Sequence, residues 1–372
     1  MPAPEIREPE LFTVAPDEVV VTCTTHDDRS VTARVGDREA TTHGRYHVLS
    51  VSGLEPSTTY SLELDGVEPS VLLPADVTTL PEPSGRVLGT VATVNDVHFG
   101  ETECGKLGTP EEIGPVFSVA PGEEPYPDVM NRGAIAEIGT LGADAVVVKG
   151  DLTDRGTDTE YERFLTAYAA LGDRMHHVRG NHDAAISSVL ASEHAPFAVD
   201  VAGARLAVLD TTIPRLERGH VPDHQLEWLD AVADDTSGPV LVFGHHHPWE
   251  PGSPTRNETY FGINPDDSEA LCAVFERHEN IVGYFAGHTH RNRVRRFPAA
   301  RGIPVVEVAC VKDYPGAWAE YRLYEGGYVQ IVRRIAAADA MAWTEQTRHM
   351  FAGTYRDYAL GALDERCFTV SY

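Results

Sequence analysis

Apolar and polar positions alternate along this chain in two different rhythms, and the change falls near residue 80. Before that point, short β-rich runs such as 19–22 and 30–35 are separated by turn signals at 27–28 and 36–37. Short strands divided by turns at such intervals are typical of small antiparallel sandwiches. The pattern therefore predicts a small all-β sandwich domain over residues 1–82.

After a Pro-rich linker at 81–85, apolar runs alternate with amphipathic stretches of helical period. Strands are predicted at 87–94, 145–148, 205–209, 240–243 and 281–285, and helices at 129–141, 159–171, 223–233 and 268–278. Later strands are predicted at 305–308, 318–323 and 328–331, with a last helix from about 336 to 358. Strands that alternate with helices in this way predict an α/β layered domain over residues 86–372.

One segment, residues 99–128, follows neither rhythm. It is rich in Gly, Pro and Glu and begins directly after His98. Connections of this length inside a compact domain are often lids or binding loops. An insert that caps a site is one interpretation, and a simple surface excursion is the other.

Charge and composition narrow the range of partners. The 372 residues include 30 basic and 57 acidic side chains, which give a formal net charge of −27. Such a field repels polyanions, so it argues against a nucleic-acid duplex or an anionic membrane surface as partner. The N-terminus has no signal-peptide pattern, no apolar run has the length of a membrane helix, and the five cysteines are scattered. These features together favour a cytoplasmic location.

Five polar clusters rich in carboxylate, amide and imidazole groups interrupt the apolar runs. They are Asp96-Val97-His98, Gly150-Asp151-Leu152-Thr153-Asp154, Gly180-Asn181-His182-Asp183, Gly244-His245-His246-His247-Pro248 and Gly287-His288-Thr289-His290. Most of them follow a predicted strand, and ligands gather at the carboxyl ends of strands in open α/β sheets. The clusters hold too many metal-type ligands for one ion and about the right number for two.

The spacing within the first three clusters suggests separate roles. Asp96 and His98 alternate after a strand, so both side chains can reach one ion. Asp154 suits an acceptor that fixes the tautomer of a ligand histidine. His182 suits a proton donor or a group that stabilises the transition state, with Asp183 orienting its imidazole.

In the two histidine-rich clusters, the spacing says less about which residues are metal ligands. From the end of a strand, His245 and His247 should lie on one side and His246 on the other. His288 and His290 place two further imidazoles on one face. Spacing alone leaves open which member of the triple run is a ligand.

The order of the five blocks resembles that of the calcineurin-like metallophosphoesterase superfamily. The resemblance covers most of residues 86–335. It implies an α/β fold in which a two-layer β-sandwich is flanked by helices, with the metals at the strand ends. Within this superfamily, the five blocks and the stretch 225–229 most resemble those of the bacterial cyclic-nucleotide phosphodiesterase branch. The stretch 53–60 resembles the tyrosine corner of fibronectin type III domains, in which the hydroxyl of Tyr60 would bond back to the backbone upstream.

The resemblance also implies which residues hold the two ions. One metal would take Asp96, His98, Asp151 and His290, and the other would take Asp151, Asn181, His246 and His288. His246 is selected because the family's ligand in that block lies two residues before Pro, and this leaves His245 and Asp154 beside the ligands. His182 and Asp183 would serve in catalysis. The metals would be manganese, iron or zinc, among which ligand chemistry does not choose.

The function implied is metal-dependent hydrolysis of small phosphate esters, most often phosphodiesters such as cyclic nucleotides. A phosphomonoesterase that uses the same residues is the nearest alternative. A non-catalytic interaction protein, whose N-terminal sandwich binds a partner, is the remote one. The intact set of ligand residues argues against a protein without catalysis.

Overall fold

The computed structural model describes residues 6–106 and 113–372. The strands are β1 (Ile6–Val14), β2 (Glu18–Val35), β3 (Arg38–Ser52), β4 (Thr59–Leu64), β5 (Asp76–Thr78), β6 (Val87–Val94), β7 (Glu103–Cys104), β8 (Phe117–Ser118), β9 (Ala145–Lys149), β10 (Met175–Val178), β11 (Phe197–Val201), β12 (Ala204–Val208), β13 (Val240–Phe243), β14 (Ile281–Ala286), β15 (Arg293–Arg296), β16 (Pro304–Glu307), β17 (Ala317–Tyr324), β18 (Gly327–Arg334) and β19 (Cys367–Ser371).

The α-helices are α1 (Tyr126–Leu141), α2 (Asp158–Tyr168), α3 (Asp223–Asp234), α4 (Pro265–Arg277), α5 (Ala338–Thr347), α6 (Tyr355–Leu360) and α7 (Leu363–Arg366). Short 3₁₀ helices occupy Ala169–Arg174, Pro298–Ala300 and Phe351–Gly353. Within the described ranges, no helix has both the length and the apolar character that a bilayer crossing needs.

The N-terminal region is all-β, as predicted. Its five strands form one sheet in the order β1-β2-β4-β5, with β3 also paired to β2. The β2–β3 hairpin turns at residues 36–37 as expected, but the turn predicted at 27–28 is wrong. There the β2–β3 register shifts between Thr24 and Arg29 while β2 continues, so a bulge absorbs the polar pair without reversing the chain.

The tyrosine expected to form a corner makes the bond that such a corner requires. The Tyr60 hydroxyl accepts a hydrogen bond from the Glu55 backbone N–H at 2.9 Å. This contact fixes the start of β4 against the preceding turn. The relation of the whole region to fibronectin type III domains stays a prediction.

The larger part of the chain forms two six-stranded sheets. Their strand orders are β10-β9-β6-β17-β18-β19 and β11-β12-β13-β14-β16-β15. Side chains from both sheets meet in one apolar core that includes Val91, Phe243 and Phe285. Helix α1 packs on the outer face of the first sheet, and α4 packs on the outer face of the second. The predicted fold, a two-layer sandwich flanked by helices and preceded by an all-β region, is confirmed.

Parallel pairing sets the position of the polar clusters. Strands β6 and β9 are parallel neighbours in the first sheet, and β13 and β14 are parallel neighbours in the second. Their carboxyl ends therefore lie at the same edge of each sheet, and each strand leads into a polar cluster. The predicted bounds 87–94 and 240–243 match β6 and β13.

The last predicted helix differs from the structure. Instead of one helix from 336 to 358, α5 ends at Thr347 and α6 begins at Tyr355. Between them Phe351 and Ala352 have φ values of 53° and 56°, in the left-handed region that ends a helix. The periodicity of apolar residues continues across this break, which is why the sequence predicts a single helix.

The predicted insert at 99–128 is described only in part, because residues 107–112 lie outside the described residues. Its described portions contain the short antiparallel pair β7–β8 and the beginning of α1 at Tyr126. Whether this segment caps a site stays a prediction.

The N-terminal region shares buried contacts with the rest of the chain. Phe12 is fully buried in the core between the two sheets. The Glu10 carboxylate, also fully buried, contacts the guanidinium groups of Arg348 at 3.1 Å and Arg334 at 3.5 Å, and accepts a hydrogen bond from the Tyr314 hydroxyl at 2.8 Å. The division at residue 82 stays a prediction, and these contacts tie its two sides together.

We expect Glu10→Ala to lower the free energy of unfolding by about 3 kcal/mol, because it removes a buried carboxylate from two buried guanidinium groups, which keep Glu345 as their remaining shared partner. Chemical denaturation followed by circular dichroism measures the change. Asp17→Ala is the matched control: its carboxylate pairs with Arg322 at 2.6 Å but is 55% exposed, so its loss should cost less than about 1 kcal/mol. Equal effects of the two substitutions would contradict the structural role of Glu10.

Candidate active site

Backbone hydrogen bonds draw the five polar clusters together at the edge of the two sheets. The Asp96 N–H donates to the Gly150 carbonyl at 3.1 Å, and the Gly287 N–H donates to the His245 carbonyl at 3.0 Å. The His182 N–H donates to the Asp151 carboxylate at 2.9 Å. Each bond joins two clusters that are far apart in the sequence, so main-chain geometry fixes where the side chains converge.

The first group of donors consists of Asp96, His98 and His290. Their ligand atoms all lie within 4.8 Å of one another. Both ring nitrogens of His98 are buried and have no hydrogen-bond partner among the described residues. Burial lowers the pKa of His98 well below its usual value, so the ring is neutral and its lone pair is available. An orphaned, neutral imidazole beside a carboxylate fits a metal ion.

The second group of donors centres on His245. Its Nδ1 faces the Lys149 carbonyl at 2.8 Å, and a carbonyl can only accept, so Nδ1 carries a proton. Its Nε2 lies 3.1 Å from Asn181 Oδ1 and 3.3 Å from Asp151 Oδ2. Burial opposes a charged ring here, but the Asp151 carboxylate outweighs it and raises the pKa of His245 to about 9. The charged ring therefore presents an Nε2–H to the Asp151 carboxylate and the Asn181 oxygen.

The neighbouring His246 has no nitrogen to spare. Its ligand atoms lie within 4.8 Å of those of His245 and His288. However, its Nδ1 pairs with the Thr211 hydroxyl at 2.8 Å, and its Nε2 contacts the Glu217 carbonyl at 3.1 Å. The sequence-based assignment, in which His246 is the ligand and His245 lies beside it, stays a prediction, and these contacts make His245 the alternative.

His288 completes the second group. Its Nε2 donates to the Phe261 carbonyl at 2.9 Å, so Nδ1 is the nitrogen with a free lone pair. The Phe261 ring also stacks on the His288 ring, with centroids 4.1 Å apart and an interplanar angle of 27°. One residue of the 249–263 loop thus fixes both the tautomer and the orientation of this imidazole.

Asp151 lies between the two groups. Its carboxylate is 2% exposed, and Oδ2 is 3.3 Å from His245 Nε2 and 3.6 Å from His98 Nε2. Burial alone would raise the pKa of Asp151, but the nearby histidines, His245 foremost, lower it well below its usual value. The carboxylate is therefore ionised, and its Oδ2 atom faces both groups.

His182 points a single nitrogen into the site. Its Nδ1 donates to the Asp154 main-chain carbonyl at 2.7 Å, so Nε2 is the nitrogen that remains for the site. The ring also packs edge-on against His98, with centroids 4.5 Å apart. Burial opposes the charged form, yet the Asp151 carboxylate and the Asp154 carbonyl raise the pKa of His182. Asp154 thus orients this ring through its backbone, whereas the sequence suggested its side chain.

Asp183 has different partners from those expected. Its carboxylate accepts hydrogen bonds from the backbone N–H groups of Leu152 at 3.0 Å, Thr153 at 2.8 Å and Gly180 at 2.7 Å. Within the described residues it makes no hydrogen bond to the His182 ring. It therefore holds two loops together, and the orientation of His182 falls to the Asp154 carbonyl.

The backbone at the site is strained. Five of the predicted ligands have left-handed φ values: Asp96 (54°), His98 (46°), Asp151 (50°), His288 (70°) and His290 (55°). Such a conformation costs roughly 1–3 kcal/mol per residue and persists only where the surroundings impose it. Gly180 is equally constrained, because a Cβ atom there would lie 2.3 Å from Asp151 Oδ1.

A buried charged network beside His290 was missed at the sequence level. Lys312, 4% exposed, pairs with Glu101 at 2.9 Å and with Asp313 at 3.0 Å. Asp313 Oδ2 is 3.8 Å from His290 Nδ1, on the side of the ring away from Asp96. The signal in the sequence is the charged pair at 312–313, which directly follows the mainly apolar run 303–311. Most of the other polar clusters also follow an apolar run.

A cavity of about 570 Å³ opens over the two donor groups. Asp151, Asn181 and His182 lie at its base together with His288 and His290. Its volume is in the usual range for sites that bind small molecules. Lys106 is the only Lys or Arg among the described residues that line it.

The sequence and fold have known relatives. The family profile of calcineurin-like phosphoesterases matches residues 89–292. Over 177 residues the chain is 32% identical to a cAMP/cGMP dual specificity phosphodiesterase of Mycobacterium tuberculosis, covering 44% of this chain and 53% of that protein. Over 169 residues it is 28% identical to a glycerophosphodiester phosphodiesterase of Enterobacter lignolyticus, covering 42% of this chain and 59% of that protein. The chain thus spans a little over half the length of these two relatives.

A solved structure supports the fold assignment. A dimetal phosphatase from Danio rerio matches 67% of this chain and 97% of its own length, with a TM-score of 0.50 and 18% identity. The shared fold is that of the metallophosphoesterases. The chain belongs to the calcineurin-like phosphoesterase family.

Proposed function

We propose that this protein hydrolyses phosphate esters of small molecules at a dinuclear metal centre, and that phosphodiesters are its main substrates. The observation that supports this most directly is the convergence of two donor groups on the single carboxylate of Asp151. A carboxylate whose Oδ2 atom faces both groups suits a ligand that two cations share. Family membership is in agreement with this reading.

The proposed ligand sets share Asp151. One ion would be held by Asp96, His98, Asp151 and His290, and the other by Asp151, Asn181, His245 and His288. His245 replaces His246 because its Nε2 alone faces Asp151 and Asn181. When bound, manganese, iron or zinc ions would supply a nucleophile from water near neutral pH and polarise the phosphoryl oxygens.

His182 would act on the leaving group. Its Nδ1–H is committed to the Asp154 carbonyl, so only Nε2 can exchange a proton with a bound substrate. The ring lines the cavity beside Asp151 and Asn181. Its position suits donation of a proton to the departing ester oxygen, or a hydrogen bond to it.

Two observations favour diesters over monoesters. A monoester is a dianion at neutral pH, whereas a diester carries one negative charge. Among the described residues that line the cavity, Lys106 is the only Lys or Arg, and Glu217 is acidic. The charge of the lining therefore suits a diester better than a monoester. The relatives matched by sequence are phosphodiesterases by name. A phosphomonoesterase that uses the same residues is the alternative.

The reaction class is tested with metal-loaded enzyme on bis(p-nitrophenyl) phosphate and p-nitrophenyl phosphate. We expect a higher kcat/KM for the diester, with activity lost on chelation and restored by manganese, zinc or iron. A higher kcat/KM for the monoester would favour the alternative. Absence of hydrolysis of either ester with every metal would exclude the proposed function.

The assignment of the second metal predicts different metal contents for two neighbouring variants. His245→Gln should retain about one ion per chain, because it removes the nitrogen that faces Asp151. His246→Gln should retain about two, because its amide can still donate to the Glu217 carbonyl. Elemental analysis of dialysed, folded protein measures the difference. The reverse result would return the ligand role to His246.

His182→Ala should keep both metals yet lose roughly 10²–10⁴ in kcat, the range for one acid–base group. The loss should be smaller for nitrophenyl esters than for alkyl esters, since nitrophenolate leaves without a proton. Asp154→Ala is the control: it removes the side chain but keeps the carbonyl that orients His182, so kcat should change little. Similar losses for good and poor leaving groups would argue against proton donation by His182.

A further inference from the structure

The upper part of the cavity is lined by four aromatic residues, here called the aromatic wall: Phe261, Phe351, Tyr355 and Tyr358. Phe261 is 49% exposed and Tyr358 is 45% exposed. Ligand pockets are lined predominantly by apolar and aromatic side chains, with a few polar groups that fix the orientation of the ligand. Three of the four lie beyond residues 89–292, the part that matches the family.

The tyrosines of the aromatic wall are held by their hydroxyl groups. The Tyr358 hydroxyl donates to the Thr289 carbonyl at 2.8 Å, and the Tyr355 hydroxyl donates to the Asp313 carboxylate at 2.6 Å. The two rings stack at an interplanar angle of 28° with centroids 6.1 Å apart. Since both polar ends are already bonded to the segments around His290, the rings offer the cavity an apolar surface of fixed orientation.

Phe351 is held in place at a backbone cost. It and Ala352 have left-handed φ values of 53° and 56°. The Ala352 N–H donates to the Gly114 carbonyl at 2.8 Å, and the Phe351 ring packs edge-on against Tyr355 with centroids 5.6 Å apart. Consecutive strained residues that place a ring at the rim of a site are the kind of outlier that points to a functional constraint.

Phe261, the fourth aromatic residue, contacts His288, a proposed metal ligand. Its carbonyl accepts the proton of His288 Nε2, and its ring stacks on the His288 ring. The aromatic wall therefore begins in direct contact with a proposed metal ligand. A group attached to a phosphate at the base of the cavity would meet these rings.

The chemistry of the lining selects among possible substituents. Lys106 is the only fixed cation that the described residues place in the cavity, so the lining does not match a second phosphate. A polyhydroxylated alkyl group would bring hydrogen-bonding groups against aromatic faces that cannot satisfy them. A planar, uncharged aromatic group can stack on such a surface.

Resting on the proposed function, we propose that the aromatic wall is a specificity subsite that binds a planar aromatic substituent of the phosphate ester. Both a nucleoside base and a simple aryl group have the required chemistry. Stacking of one base or ring on a protein aromatic side chain is typically sufficient to strengthen binding by about tenfold.

The test compares the dissociation constants of methyl phosphate, phenyl phosphate and thymidine 5′-phosphate for the full-length, zinc-loaded protein by calorimetry. We expect phenyl phosphate to bind about tenfold more tightly than methyl phosphate. If thymidine 5′-phosphate binds at least as tightly as phenyl phosphate, the aromatic substituent is a nucleoside base. Weaker binding of the nucleotide than of phenyl phosphate would identify an aryl ester.

Variants assign the preference to the wall. Phe351→Leu keeps apolar bulk but removes the ring, so it should lose most of the preference for phenyl over methyl phosphate, and Phe351→Tyr should retain it. Tyr372→Ala removes an exposed aromatic residue elsewhere on the protein and should change nothing. Equal binding of methyl and phenyl phosphate by the wild type, or a preference that persists in both Phe351→Leu and Phe261→Leu, would overturn the proposal.

Because these constants do not require turnover, they separate this proposal from the proposed function. A protein that hydrolyses nitrophenyl esters but binds methyl and phenyl phosphate equally would keep the function and lose the subsite. A protein that prefers phenyl phosphate but cleaves no ester would keep a ring-binding site and lose the reaction.

Discussion

The structure of the site depends on one buried negative charge, the carboxylate of Asp151. An ionised group that is 2% exposed must be compensated on every side, since an unpaired charge in an apolar interior is very costly. Here the compensation comes from the His182 N–H and from the rings of His245 and His98. In the proposed function, two cations would share this task. Each element that supplies a partner is consequently held at a fixed distance from the others.

That requirement explains why so much of the surrounding backbone is in a sparsely populated conformation. The left-handed ligand residues lie two or four positions after the ends of β6, β9 and β14. The two broad mixed sheets, with their apolar cores, provide the stability that this local strain consumes. Rigid strands that lead into strained turns are a common arrangement where side chains must meet at one point.

Sequence patterns predicted the sheets and the polar clusters well, because buried strands such as β6 and β13 are continuous apolar runs and their ends are marked by ligand-type residues. They could not distinguish His245 from His246, since that choice depends on which ring contacts the Lys149 carbonyl and which contacts Thr211. They also missed the break between α5 and α6, because apolar spacing reports burial and contains no information on φ. The aromatic wall was invisible for a similar reason: Phe261 and Tyr358 are nearly one hundred positions apart and become neighbours of one cavity only through the sheet.

The two ends of the described chain close on each other. The Arg366 guanidinium donates to the carbonyls of Leu11 and Phe12, across separations of 355 and 354 residues. The central strand β6 likewise pairs with β17, which follows more than two hundred residues later. Contacts this distant in sequence form late, because the loop they close must first lose its conformational entropy. On the ribosome, the hairpin of β2 and β3 can form soon after it emerges. The β6–β17 pair and the Arg366 contacts must wait until residues 317 and 366 have left the exit tunnel, so the core stays unfinished until then.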